Sequence, residues 1–234
     1  MTSEPFSCLA AGFCLLALLA ATPAGRAAEM VTLDRPVIVI SPEEPSFVQY
    51  GVEDLARYLT ETTGVEVPLT NSPNSENLTQ ILVGTQTVRG LFPESIPDPS
   101  LGVEGYALRG VQKDGVAYVL AAGTTPHGTK AALGVLMKAI EVEGKSALLP
   151  VSMNQSGKPA LAKRGMHFNG WAFNYPYSFR SWRENDWQSY LDILAYQGVN
   201  LFYLWPFIEI MPVPLSPEDE SYLEECRRVV DYAQ

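Results

Sequence analysis

Short apolar runs alternate with amphipathic helical stretches along most of this chain, and that alternation leaves room for little besides an α/β fold. Pro36-Val37-Ile38-Val39-Ile40 is a β-branched run closed by Ser41-Pro42, which predicts a buried strand. Pro45-Ser46 then opens a helical pattern in which Val48, Val52, Leu55 and Leu59 form one apolar stripe. Glu53, Asp54, Arg57 and Glu61 take the other faces, and Gly64 stands where a helix ends at positive φ. Val65 to Leu69 resumes an extended run. Gln80-Ile81-Leu82-Val83-Gly84 is nearly all apolar and predicts a central strand.

Leu91 to Leu101 is rich in Pro and acidic residues, which predicts irregular surface. Tyr106–Val111 and Val116–Ala121 flank Lys113-Asp114-Gly115, and Asp-Gly between extended runs is a strong hairpin signal. Thr125 can cap a following helix, with Pro126 at N1 where its missing N–H costs nothing. That helix should run to about Ile140, with Leu133, Leu136, Met137 and Ile140 turned inward. Residues 31–152 are therefore expected to form a small α/β sandwich, a sheet with two covering helices on at least one face. Gly123 to Lys130 joins a strand to a helix but lacks the P-loop spacing, since Lys130 follows Thr129 and precedes Ala131. Gly128 is expected to let the helix lie close to the sheet, and His127 to be exposed in its first turn.

The N-terminus reads differently. Cys8 to Ala21 is an unbroken apolar or small run, shorter than the roughly 20 residues that span a bilayer. Small residues at Gly25, Ala27 and Ala28 follow it. The pattern predicts a secretory signal peptide over 1–28 and a secreted, periplasmic or extracellular protein. An uncleaved anchor and a buried helix are the other readings, because the first residues carry Glu4 and no Lys or Arg. Past the signal only Cys226 of three cysteines remains, so the domain would rely on its core without an intrachain disulfide. Apolar residues at 47% suffice for that, and a net charge of -10 argues against a nucleic-acid partner.

Asn154 to Pro159 reads as a polar linker, and beyond it a second pattern begins. Arg164-Gly165-Met166-His167-Phe168-Asn169 is a strand, and Gly170 to Arg180 an aromatic loop. Ser181-Trp182-Arg183-Glu184 has capping-box spacing, with a helix through Trp187, Tyr190, Leu191, Leu194 and Ala195 that ends at Gly198. Val199 to Trp205 is a second strand, stopped by Pro206. Ser216-Pro217-Glu218-Asp219 starts a last helix, whose stripe is Tyr222, Leu223, Cys226, Val229 and Val230. Strand, helix, strand, helix over 160–234 is the βα repeat. A barrel needs eight such units and about 250 residues, so this is an incomplete segment. It would be completed by the remainder of a barrel or by a partner chain.

Here the chain resembles a known architecture. The EGYAL context of Tyr106–Leu108, the hairpin followed by GTTPHGTKAALGVL, and KRGMHF at Lys163–Phe168 resemble bacterial-type β-hexosaminidases and α-glucuronidases. In those enzymes a non-catalytic N-terminal α/β domain precedes a (β/α)8 barrel. WRENDWQSYLDILAYQGVNLFYLWPFIE is also similar to the first helix and second strand of α-N-acetylglucosaminidases. The resemblance implies an α/β sandwich followed by the first two βα units of the barrel. Asn169 stands where hexosaminidases carry Asp, and Ala172 where they carry a sugar-gripping Arg. An α-glucuronidase or α-N-acetylglucosaminidase relative therefore fits no worse, and a divergent relative with no assigned activity fits as well.

The implied function is that of the N-terminal part of a secreted glycoside hydrolase, acting on O-glycosyl bonds of N-acetylhexosamine- or uronic-acid-containing glycans, with a carbohydrate as partner. Glycoside hydrolysis normally uses two carboxyl groups about 5–9.5 Å apart. The resemblance puts the Asp-Glu pair after barrel strand four, beyond this chain's last residue, so no residue here is assigned a catalytic role. The expected substrate contacts are Asn169, Trp171, Trp205, Glu209 and His167. Asn169 lies near a strand's carboxyl end, Trp171 and Trp205 offer flat faces to a pyranose, and Glu209 can accept from a sugar hydroxyl. The alternation leaves His167 open between core and substrate. Tyr175 and Trp182 are further rings that either bind sugar or cover the rim. No metal or other cofactor is expected, since His127 and His167 have no ligand-spaced partners. The alternative function is a non-catalytic carbohydrate-binding or envelope-associated protein.

Overall fold

The structure is a computed structural model, and it describes residues 30–73, 79–150, 152–167 and 181–234. The expected signal segment lies outside the described residues. Three apolar strands lie side by side in a six-stranded sheet: β2 (Val37–Ile40), β4 (Thr79–Val83) and β6 (Val116–Gly123), all parallel. Every residue of β4 is buried, as expected for a central parallel strand covered on both faces. β3 (Leu69–Thr70) extends one edge in parallel, so the extended run read from Val65 pairs only at its end. On the other side β5 (Tyr106–Lys113) pairs antiparallel with β6 through the Asp114-Gly115 turn, where both residues have positive φ.

Strand alternation sorts the core. Ile38, Ile81, Val83, Val119 and Ala121 face α1 (Ser46–Thr63) and α3 (Pro126–Ala139), whose Val48, Val52, Leu55, Leu59, Leu133 and Leu136 are buried against them. Each such side chain contributes about 1.5–3 kcal/mol over its exposed state. Val39, Leu82, Leu120 and Ala122 face the opposite way, onto Val88 and Phe92. Val88 belongs to α2 (Thr85–Leu91), a short helix with one buried residue and hence no stripe to betray it in the sequence. Gly64 ends α1 at φ 74°, its N–H bonded to Thr60 O. Thr125 caps α3, its hydroxyl accepting from His127 N–H, with Pro126 at N1. Gly128 does bring α3 against the sheet: a Cβ there would collide with Gly105 O and meet Gly123 Cα at 3.0 Å.

Two features depart from expectation. The supposed linker contains β9 (Asn154–Gly157), which pairs antiparallel with β5 and closes the sheet order as β3-β2-β4-β6-β5-β9. A small antiparallel sheet, β1 (Met30–Thr32), β8 (Ser146–Pro150) and β7 (Glu141–Glu143), lies against α1, with Ala147 and Leu149 in the core.

In the second part β10 (Gly165–His167) and β11 (Leu201–Tyr203) pair in parallel, with His167 opposite Tyr203. α4 (Glu184–Tyr196) connects them and α5 (Pro217–Ala233) follows. α4 starts two residues later than a Ser181 cap would place it: Arg183 is its N-cap, and Asp186 accepts from Arg183 N–H at 2.8 Å. Ser216 caps α5, its hydroxyl accepting from Asp219 N–H. Trp187, Leu191, Met211, Tyr222 and Val229 form a core of their own. Taken together this is a mixed parallel and antiparallel α/β arrangement whose second part is consistent with a partial (β/α)8-like unit. No helix among the described residues is long and apolar enough to cross a membrane.

Candidate functional site

In open α/β sheets, ligands gather beyond the carboxyl ends of parallel strands. At that end of the β10–β11 pair stand two groups, His167 with Tyr203, and Trp205 with Phe207 and Glu209. Phe202 points to the α4 side and packs at 6.1 Å from Trp187, ring centre to ring centre. Alternation therefore turns its neighbours Leu201 and Tyr203 to the open face, where both are more than half exposed. His167 is exposed as well and meets Tyr203 edge-on at 4.9 Å, so it belongs to the open face and not to the core.

Beyond β11 the chain turns so that Trp205 and Phe207 stack. Their ring centres are 4.9 Å apart and their planes 13° apart. Phe207 takes the left-handed conformation at φ 54°, uncommon for a bulky residue. Glu209, in a 3-10 turn over Ile208–Ile210, accepts from Trp205 Nε1–H at 3.3 Å. Trp205 keeps 40% of its surface exposed and Glu209 is exposed. Stacking covers one face of each ring, and Phe207 also packs against the core of the second part, so the result is an indole face of Trp205 backed by Phe207, with a carboxylate at its edge. Such a surface can offer an apolar face and a hydrogen-bond acceptor to one ligand at once.

Of the residues expected to contact substrate, Trp205 and Glu209 touch each other, and His167 stands at the end of the neighbouring strand. Asn169 and Trp171 lie outside the described residues, as does Tyr175. Trp182 packs at 4.7 Å from Trp187 and 5.4 Å from Tyr190, so it covers the α4 side instead of offering a face to ligand. Phe207 and Tyr203 were not singled out by sequence. Phe207 in particular carries a readable signal, because Trp-Pro-Phe-Ile-Glu puts two rings and an acid within five residues.

The amino ends of the same two strands hold a different constellation. Arg164, just before β10, makes a two-pronged ion pair with Glu104, its Nη atoms donating at 2.6 and 3.0 Å. Its Nε–H donates to Gly198 O and Nη1 to Leu161 O. Asn200, just before β11, accepts from Arg164 N–H at 2.9 Å and donates to Ala162 O at 2.8 Å and Glu104 Oε2 at 3.4 Å. The guanidinium holds the Glu104 carboxyl below its usual range, partly offset by burial, and Glu104 raises Arg164 in turn. Four of the five Arg164 guanidinium N–H groups and both Asn200 amide hydrogens are committed, so the cluster fastens the two parts of the chain. Among the described residues no group of three or more His, Cys, Asp or Glu is placed to hold a metal ion.

No protein-family model matches the chain, and no curated protein matches it in sequence. Solved structures do match in fold. CpGH84B aligns with a TM-score of 0.57 at 12% identity, over 88% of this chain and 33% of that one. BtGH115A, a family GH115 4-O-methyl-α-glucuronidase with specificity for decorated arabinogalactans, gives 0.56 at 15%, over 84% and 28%. The N-acetyl-β-hexosaminidase of Streptomyces plicatus gives 0.52 at 14%, over 76% and 32%. The chain spans about a third of the length of each. It is an α/β protein whose fold resembles the start of a glycoside-hydrolase catalytic fold. At these identities the likeness concerns fold and leaves substrate and activity to other arguments.

Proposed function

We propose that this chain is the N-terminal part of a secreted glycoside hydrolase, acting on O-glycosyl bonds of N-acetylhexosamine- or uronic-acid-containing glycans. Residues 31–152 are its non-catalytic α/β domain, and 160–234 the first two βα units of its (β/α)8 barrel. In that reading the open face of β10–β11 lines the barrel interior, and Trp205, Phe207 and Glu209 sit at the carboxyl-end rim where barrel enzymes bind substrate. Export rests on the Cys8–Ala21 apolar run and the small residues at Gly25, Ala27 and Ala28.

The observation that carries the reading is the stacked Trp205–Phe207 pair with Glu209 against the indole edge. The axial hydrogens of a pyranose suit the open face of Trp205, which Phe207 holds from behind, and its hydroxyls suit the carboxylate. Asn169, Trp171 and His167 are proposed to extend the same surface. Cleavage needs two carboxyl groups across the bond, and Glu209 contributes one carboxylate to the rim. The activity assigned to these residues is therefore gripping sugar, without bond cleavage. Calorimetric titration with N-acetylglucosamine- and glucuronate-terminated oligosaccharides tests this. Binding by the unaltered chain, weakened about tenfold or more by Trp205→Ala and by Glu209→Gln, is expected; tenfold is about 1.4 kcal/mol. No binding of either sugar class, or binding unchanged in both variants, contradicts it.

The single carboxylate also suits a second reading, a non-catalytic carbohydrate-binding or envelope-associated protein. The intact mass of the native secreted product separates the two. A mass well above that of 28–234, beyond what glycans add, supports the hydrolase, and a matching mass supports the binding protein.

A further inference from the structure

A second cleft lies in the first part of the chain, far in sequence from Trp205. α1 leaves β2 toward one face of the sheet and α2 leaves β4 toward the other. The carboxyl ends of β2 and β4 therefore flank a topological switch point, the place where open α/β sheets make ligand crevices. A cleft of about 410 Å³ sits there, walled by the segments that follow β2, β4 and β6, within the range of small-ligand pockets.

The walls are fixed by internal hydrogen bonds. Gln49 Nε2 donates to Pro42 O at 3.1 Å and Glu44 O at 2.7 Å, which sets the loop after β2. The hydroxyls of Thr85, Thr124 and Thr125 donate to Gly123 O, Gly102 O and Val103 O. Four side chains in the lining are left without a hydrogen bond or ion pair among the described residues: Glu43, Glu44, Gln86 and Arg89, of which Glu44 alone is partly buried. The Glu44 carboxylate lies over Gly84, where a Cβ would collide with it; Gly84 has φ 97° and belongs to the turn from β4 into α2. Partial burial pushes the Glu44 carboxyl up, and Arg89 makes no ion pair with it.

We infer that this cleft binds a small neutral polyhydroxy compound, a mono- or disaccharide, through Glu44, Gln86 and Arg89. A carboxylate, an amide and a guanidinium that do not satisfy one another supply acceptors and donors together. Neighbouring hydroxyls, each able to donate and accept, can use all three. An anionic ligand would suit Arg89 but meet the Glu43 and Glu44 carboxylates, and a cationic one would suit the carboxylates but meet Arg89. The site stands apart from the Trp205 platform and does not depend on it.

The test is a nuclear magnetic resonance titration of the full chain with cellobiose, and separately with glucuronate. Saturable shifts of the Gly84, Thr85 and Thr124 amides with cellobiose are expected. Arg89→Ala and Glu44→Gln should each weaken that binding about tenfold, the order expected for a hydrogen bond to a charged group. The Trp205 indole signal reports the other site in the same spectra, so each can fail alone. Unmoved cleft amides, shifts that persist unchanged in both variants, or a response to glucuronate but not to cellobiose would each overturn the inference.

Discussion

Glu104 and Arg164 stand 60 residues apart in the chain and are joined by two parallel hydrogen bonds of 2.6 and 3.0 Å. Asn200 completes the cluster from the start of β11. Glu104 belongs to the EGYAL stretch, Arg164 to KRGMHF and Asn200 to the Gly-Val-Asn turn, the stretches on which the likeness to glycosidases rests. They meet at one point, at the amino ends of both parallel strands. In a barrel that is the face where fixed residues serve stability, so these motifs report how the two parts are fastened. The proposed sugar contacts, Trp205 and Glu209, are at the opposite end.

Glu104→Gln removes the charge and one prong of the pair. It should destabilise the chain by about 1–3 kcal/mol, the range for hydrogen bonds to charged groups, measured by urea unfolding. The pH dependence has a definite sign. A carboxyl whose folded pKa is depressed contributes stability that is fully present above its ordinary value of 4.5 and is lost as pH falls through the folded value. The gap between the unaltered chain and the variant should therefore narrow below pH 4.5. A gap that stays constant down to acid unfolding contradicts the assignment.

Gly128→Ala tests the approach of α3 to the sheet. The added Cβ meets backbone at Gly105 and Gly123, which no side-chain rotation relieves. Overpacking of this kind costs about 1–3 kcal/mol, which outweighs the gain in helix propensity from Gly to Ala. A thermal melt should show a lower midpoint, and an unchanged or raised midpoint contradicts the packing.

Tyr232, on α5, donates its hydroxyl to Asp192 on α4 at 2.8 Å. Its phenol is pushed up from 10.0 to about 12, first by burial, then by the hydrogen bond and by the negative charge of Asp192. Asp192→Asn removes the charge but not the burial. The Tyr232 titration, followed by ring carbon shifts, should drop toward 10.0 and stay above it. No change would mean that the two helices do not meet at this pair.

The parts of the fold legible in sequence are those with local signals. Asp114-Gly115 dictated the hairpin, Thr125-Pro126 and Ser216-Pro217 set two helix starts, and Gly64 ended α1. What escaped had no local signal. β9 is Asn-Gln-Ser-Gly, with no apolar residue, and it is a strand only because β5 offers an open edge. α2 buries a single side chain, Val88. At the candidate site the sequence named Trp205 and Glu209 separately. Their contact depends on the left-handed turn at Phe207, a conformation that nothing in the local sequence announces.

The most direct measurement is the tryptophan indole N–H region of a nitrogen-15 spectrum during titration with N,N'-diacetylchitobiose and with a glucuronate disaccharide. Trp205 is assigned by its loss in Trp205→Phe. The account predicts that the Trp205 signal moves and saturates with at least one of the two sugars. The signals of Trp182 and Trp187, packed against each other in the core, should stay where they are. A Trp205 signal unmoved by both sugars, or movement confined to Trp182 and Trp187, would contradict a sugar-gripping surface at the end of β11.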